Sequence, residues 1–221
     1  MDARNNYRHI PAVHNPEQKL VFFTRFTRPC LAMLALLCSF AALPTQAADN
    51  PAVVSYTLTR QYGSVLFRVM QQQYLNLVGR FDDYAATLDM DFDNLANSRL
   101  DATVRMGSLS MADGDVVETL VNSSAWFNAS LYPEATFTTT SVEVTGANTA
   151  DFHGDLTFVG VTRPWTLHVT FFGGSDGQLT GSSIGMLATG SFDRTTFGLD
   201  QYLNMAEDLV NIEINVKFNR N

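Results

Sequence analysis

From Tyr56 to Phe218 apolar and polar positions mostly alternate, the period-two signature of strands that bury one face. The stretch Gly154 to Phe171 shows it most clearly. Leu156 and Phe158 fall on one side of a first run, and Trp165, Leu167, Val169 and Phe171 on one side of a second. Thr157, Thr166, His168 and Thr170 take the other side. Punctuation at Gly160 to Pro164 between the two runs predicts a β-hairpin that turns there. So many large inward side chains from one hairpin require either a thick core or a cavity.

The rest of the chain repeats the pattern. Tyr56 to Thr59 reads as a short opening strand, and Ser64 to Met70 as a second with Val65, Phe67 and Val69 on one face. Leu77 to Tyr84 follows, with Gly79 expected to mark a bend or bulge. It leads into Thr87 to Asp93, where Leu88, Met90 and Phe92 alternate with Asp89, Asp91 and Asp93. Further strands are expected over Leu100 to Leu109, Ala135 to Val144, Ile184 to Phe192 and Leu209 to Phe218. Many short strands with turn residues between them favour an antiparallel barrel or sandwich over α/β architecture.

One segment departs from period two. Between Ala112 and Asn128 the spacing of Val116, Val117, Leu120 and Val121 fits a short amphipathic helix, with Asp113 and Asp115 near its positive end. Trp126 and Phe127 follow it. They are placed to plug a barrel mouth, or to close a core as part of a surface helix.

The first 48 residues read differently. Lys19, Arg25 and Arg28 precede an apolar run from Cys30 to Leu43, and small residues follow, the pattern of a secretory signal peptide cleaved near Ala47 or Ala48. The run is short for a membrane span of about 20 residues. Residues 1–48 are thus expected to be leader and residues 49–221 one β-barrel domain, with a periplasmic destination. Both cysteines, Cys30 and Cys38, lie in the leader, so the mature domain has no thiol chemistry. Cleavage leaves nine basic against 20 acidic residues, a net charge of −11, which argues against nucleic acid or an anionic membrane surface as partner.

Catalytic patterns are thin. Gly181-Ser-Ser183-Ile-Gly185 and Gly173-Gly-Ser175-Asp-Gly177 match the nucleophile-elbow string, but both fall in glycine-rich turns and no histidine follows His168. A serine hydrolase is only a reserve hypothesis. His153 and His168 are too few for a zinc site, and no metal or cofactor is expected. Asp89, Asp91 and Asp93 have the spacing of a calcium loop. Asn94 stands where that loop needs glycine, and Leu100 where it needs a bidentate glutamate, so a solvated strand face is the expectation.

Taken together, Ser64-Val-Leu-Phe-Arg-Val69, Ala125-Trp-Phe-Asn128, Tyr132-Pro-Glu-Ala-Thr-Phe137, Gly154-Asp-Leu-Thr-Phe-Val-Gly-Val-Thr-Arg-Pro164 and Phe192-Asp-Arg-Thr-Thr-Phe-Gly198 resemble the YceI-like family. So do Tyr56-Thr-Leu, Val78-Gly-Arg-Phe81 and Leu88-Asp-Met-Asp91, and the landmarks arrive in the family's order. The resemblance implies a periplasmic, lipocalin-like antiparallel barrel of about eight strands. Its interior would hold an isoprenoid chain, of polyprenyl or quinone type, without catalysis. Many members carry histidines where this chain has Tyr62 and Gln71, which leaves the headgroup contact open.

On this basis the wall of a lipid tunnel is expected from Val65, Phe67, Val69, Phe81, Leu88, Met90, Trp126, Phe127, Phe137, Leu156, Phe158, Trp165 and Leu167. Arg163 is the candidate headgroup cation, with bracing of the turn against a carboxylate as its alternative role. The same apolar set would also build a solid core with no ligand, in a structural or stress-related barrel. Periodicity fixes faces, not voids, and leaves open whether the protein forms a homodimer.

Overall fold

The computed structural model describes residues 53–72, 75–173 and 181–221. The leader, its cleavage site, the boundary at residue 48 and Ser175 lie outside the described residues. In chain order the elements are β1 (Val53–Gln71), β2 (Leu75–Phe81), β3 (Tyr84–Asp91), β4 (Arg99–Arg105), β5 (Leu109–Ser110), α1 (Gly114–Asn122), β6 (Glu134–Val144), β7 (Thr149–Phe158), β8 (Val161–Phe172), β9 (Ser183–Asp193) and β10 (Ala206–Arg220). Every pairing is antiparallel, and β10 returns to β1, so the sheet closes on itself.

The barrel has eight staves, because two of them are broken. β2 and β3 run consecutively along β1, β2 against Val65–Gln71 and β3 against Val53–Thr57. β4 and β5 form the next stave. It is interrupted at the same level by a 3-10 turn over Met106–Ser108, and the Asp82 N–H donates to the Ser108 carbonyl there at 3.1 Å.

Several local expectations are corrected. The two opening strands are one 19-residue strand, whose register slips between Thr59 and Ser64 as it passes from β3 to β2. Gly79 is not a bulge; it pairs with Phe67 in unbroken register. Glycine is required there by close approach, since a Cβ would sit 2.2 Å from the Phe67 ring. The β7–β8 hairpin turns at Val159–Gly160, both with positive φ (43° and 78°), rather than across Gly160 to Pro164. Pro164 lies within β8, where that strand has no ladder to β9: their pairing covers only His168–Phe172. A missing N–H costs nothing at such an unpaired edge.

The helix forms as its spacing predicts, and the Asp113 carboxylate caps it by accepting from the N–H groups of Asp115 (3.0 Å) and Val116 (3.3 Å). It ends at Asn122, and a turn carries Trp126 and Phe127 back over the barrel. β1's end, the Val159–Gly160 turn, α1 and the segment 194–205 surround this mouth. The opposite end is packed solid by Tyr56, Leu88, Met90, Phe152 and Ile184, each at most 1% exposed. Burial pushes the Tyr56 phenol pKa up, and its hydroxyl donates to the Gly181 carbonyl at 3.2 Å.

The aspartate run is only partly a solvated face. Asp91 is buried, because its carboxylate organises the β3–β4 connection: it accepts from the N–H groups of Asp93 (3.1 Å) and Asn94 (2.9 Å) and from Asn97 Nδ2 (3.0 Å). The Asn97 bond, then the backbone donors, hold its carboxyl below the usual range. A carboxylate with a depressed native pKa stabilises the fold fully above its unfolded value of about 4, and the contribution disappears as pH falls through the native value. Asp91→Asn is therefore expected to lower Tm at pH 7, with the gap to the parent protein narrowing below about pH 4. Melting curves at pH 7 and pH 3 check this, and an equal gap at both would assign the loss to something other than the charge.

Candidate functional site

The interior between the mouth and the packed end contains a cavity of about 170 Å³. For comparison, a dry protein cavity of about 150 Å³ is large enough to bind benzene. β1 contributes Leu58, Val65, Phe67 and Val69 to its wall, and β10 contributes Val210, Ile212, Ile214, Val216 and Phe218 in strict alternation. At about 3.3 Å per residue the lined part of β1 runs for about 35 Å along the strand, so the space is elongated. Leu100, Met186 and Phe218 also line it.

Eleven of the thirteen wall residues expected from the sequence line this cavity; Leu88 and Met90 do not. Both face inward as expected but belong to the packed end, where Leu88 is paired against Tyr56 and Leu100. The β10 residues were legible in the same alternation that identified β1.

At the mouth, Phe127 is the plug. Its ring packs against Phe158 (5.7 Å between centroids), Phe67 (6.1 Å) and Phe81 (6.2 Å), while Leu120 anchors the helix beneath it. Trp126 is half-buried and stacks on Tyr202 at 5.8 Å with an 11° interplanar angle. Beside it lies Arg194, a cavity-lining residue whose guanidinium carbon is 5.2 Å from the Trp126 ring centre. Burial lowers the Arg194 pKa, while Asp208 and Asp200 oppose that shift. No periodic signal marks Arg194, which stands in the 3-10 turn after β9.

Between β8 and β9 the wall is closed by side chains where the ladder stops. The Trp165 indole spans the seam and donates from Nε1 to the Ser191 carbonyl at 2.8 Å, with its ring packed edge-on to Phe137 and Phe192. Gly190 makes room for that ring. Arg163 crosses the same seam, donating from Nε to the Thr196 carbonyl (3.1 Å) and from Nη1 to the Thr162 carbonyl (3.2 Å). Its acceptors are carbonyls rather than the carboxylate expected, and it is an exposed residue that does not line the cavity.

The other candidate chemistry is dispersed over the outside. His168 bonds Asp151 at 2.8 Å, and His153 bonds Thr166 at 2.9 Å. Ser183 opens β9 opposite Asn219, and no cluster of potential metal ligands occurs among the described residues. Tyr62 is exposed on the barrel's exterior, where Lys217 lies 5.8 Å over its ring. Gln71 pairs with Leu75 and Ala206 at the mouth end of β1.

Residues 56–218 match the YceI-like domain. Protein YceI of Escherichia coli is 32% identical over 181 residues, covering 81% of this chain and 93% of the relative. Its counterpart in Salmonella newport is 31% identical over 157 residues, 71% of this chain and 81% of that one. Among solved structures, Burkholderia cenocepacia BcnA superposes with a TM-score of 0.66 at 21% identity, over 72% of this chain and 98% of its own. A Campylobacter jejuni YCEI protein gives 0.60 at 26% identity (69% and 90% covered). A polyisoprenoid binding domain from Saccharophagus degradans gives 0.55 at 14% identity (76% and 99% covered).

The seam yields a direct test. A Cβ at residue 190 would lie 2.5 Å from the Trp165 ring and 2.9 Å from the Thr166 carbonyl oxygen. Gly190→Ala should therefore displace the indole, at a cost of about 1–3 kcal/mol for overpacking, and alter the near-UV circular dichroism of tryptophan. Unchanged spectrum and stability would mean that the indole does not sit in the seam.

Proposed function

The chain belongs to the YceI-like family, and from that premise we propose that its barrel holds an isoprenoid chain in the interior cavity, as a periplasmic carrier, store or sequestering protein. The observation that carries the proposal is the cavity itself: elongated, walled by aliphatic and aromatic side chains, and plugged by Phe127 rather than filled. A related fold is that of a polyisoprenoid binding domain, which supports the choice of ligand. Burying one isoprene unit contributes on the order of 3–4 kcal/mol gross, at about 0.8 kcal/mol per carbon, before ordering costs. Several units bind well without charge or catalyst. A ligand-free solid barrel accounts for Leu88, Met90 and the packed end, but not for a cavity of about 170 Å³.

Native mass spectrometry of protein taken from the periplasm is expected to show a co-purifying isoprenoid. Repeated ligand-free preparations that also refuse added polyprenyl lipid would defeat the proposal. Phe67→Asp should abolish capture, because it puts an unpaired carboxylate in the wall, and should destabilise the barrel as well. Ala86→Phe separates the two effects: Ala86 lines the cavity, and displacing one isoprene unit from it should weaken binding about 100-fold while the barrel stays folded. Lipid capture that survives both substitutions would place the ligand elsewhere.

A further inference from the structure

Five large apolar side chains are left exposed around the mouth: Leu75, Leu131, Tyr202, Leu203 and Met205, each between 46% and 63% exposed. None of them lines the cavity. Three come from one tight turn, in which the Tyr202 carbonyl accepts from the N–H groups of Met205 (2.9 Å) and Ala206 (3.0 Å). Tyr202 holds a φ of 58° there, uncommon for a residue with a side chain. The turn is fastened to the end of β1, where the Gln72 N–H donates to the Met205 carbonyl at 3.2 Å and Leu75 pairs with Gln71. Leu131 precedes Tyr132, whose ring lies against Gly160 in the β7–β8 turn.

Charge around the same opening is mostly of one sign. The segments that frame it, 70–78, 111–133, 158–163 and 193–209, contain seven acidic residues and two basic ones. Of the two, Arg194 is buried and Arg163 is bonded to carbonyls across the seam. Asp115 and Glu118 on α1, and Asp200 and Glu207 beside the turn, are exposed.

Resting on the isoprenoid-binding proposal, we infer that this rim docks the barrel, mouth down, on a neutral phospholipid bilayer, so that a chain passes between bilayer and cavity without crossing water. Exposed apolar side chains grouped at one opening mark an interaction site. Their continuity with an apolar cavity points to a membrane, because the reservoir of a long isoprenoid is a bilayer interior. Charge selects the kind of membrane. A second copy docked mouth to mouth would set two acidic collars against each other, and an anionic lipid surface would be repelled in the same way. The outermost groups of a zwitterionic bilayer are ammonium ions, which carboxylates attract, and beneath them lies an apolar layer for the rim. Trp126 and Tyr202, stacked at the rim, are residue types that favour the membrane–water interface.

Flotation with phosphatidylcholine vesicles free of isoprenoid tests the docking on protein produced from the full chain. Residues 1–48 are common to every variant, so they cancel in the comparison. Leu203→Ser combined with Met205→Ser should weaken vesicle binding about tenfold, since both remove apolar surface that docking buries. Phe172→Ser, which removes a similarly exposed side chain at the far end of β8, should leave binding unchanged. Replacing part of the phosphatidylcholine by phosphatidylglycerol should weaken binding, and about 0.5 M salt should restore it. Capture of detergent-dispersed polyprenyl lipid by the rim variant should equal that of the parent, because neither residue lines the cavity, and this also shows that the variant is folded. Docking is overturned if the parent does not float, if the rim variant floats as well as the parent, or if phosphatidylglycerol strengthens binding. A parent dimer that the rim variant turns into a monomer in sedimentation assigns the rim to a second copy, and overturns it too. Capture without flotation removes the docking and leaves the isoprenoid reading intact. Rim-dependent flotation without capture removes that reading, while the docking, measured without isoprenoid, stands.

Discussion

The pairing of β10 with β1 closes the sheet, and closure gives each alternating strand an inside and an outside. Without it the apolar face of β10, from Val210 to Phe218, would be half of an exposed patch. With it, that face and the Val65–Val69 face of β1 become opposite lips of one interior. Residues 49–221 contain no cysteine, so no disulfide within them does this work. The barrel is held by its ladder and by the removal of apolar surface from water.

The interior is not uniform along its length, and the difference sets what it can do. At one end Tyr56, Leu88, Met90, Phe152 and Ile184 meet and leave little space. Towards the mouth two staves are broken, at Asp82–Asp83 and Met106–Ser108, and β8 parts from β9. The wall there is completed by side chains: Phe127 from above, Trp165 and Arg163 across the seam. A wall of side chains is easier to open than a hydrogen-bonded ladder, since a rotamer change breaks fewer bonds. The cavity and the mouth therefore coincide with the part of the barrel whose backbone pairing is least complete.

Arg194 shows how a polar group is accommodated in such a place. Two of its four carbonyl acceptors, Leu199 and Gln201, come from the loop between β9 and β10, and two, Ala206 and Glu207, from the start of β10, so the guanidinium ties that loop to β10 while lying against the cavity. Burying a cation costs less when carbonyl dipoles surround it. Arg163, the cation suggested by sequence position alone, is exposed at the seam: the hairpin turns at Val159–Gly160, which leaves Arg163 within β8 rather than in the turn.

Fold class, the helix after the middle strands and eleven wall residues were legible in the sequence, because period-two and helical spacing are local properties that strand pleat and helix pitch impose directly. The family resemblance extended that to a barrel of about eight staves. Tertiary structure decided what spacing does not encode. Leu88 and Met90 have the same alternation as Val65 and Phe67, yet one pair fills the packed end and the other borders a void, since packing depends on what faces a side chain from across the barrel. Asp91 carries the pattern of a solvated residue and is buried, because three donors in the β3–β4 connection converge on it. Arg194 stands in one of the family landmarks but in no periodic pattern; its place in the cavity wall comes from a loop folding back over a closed barrel.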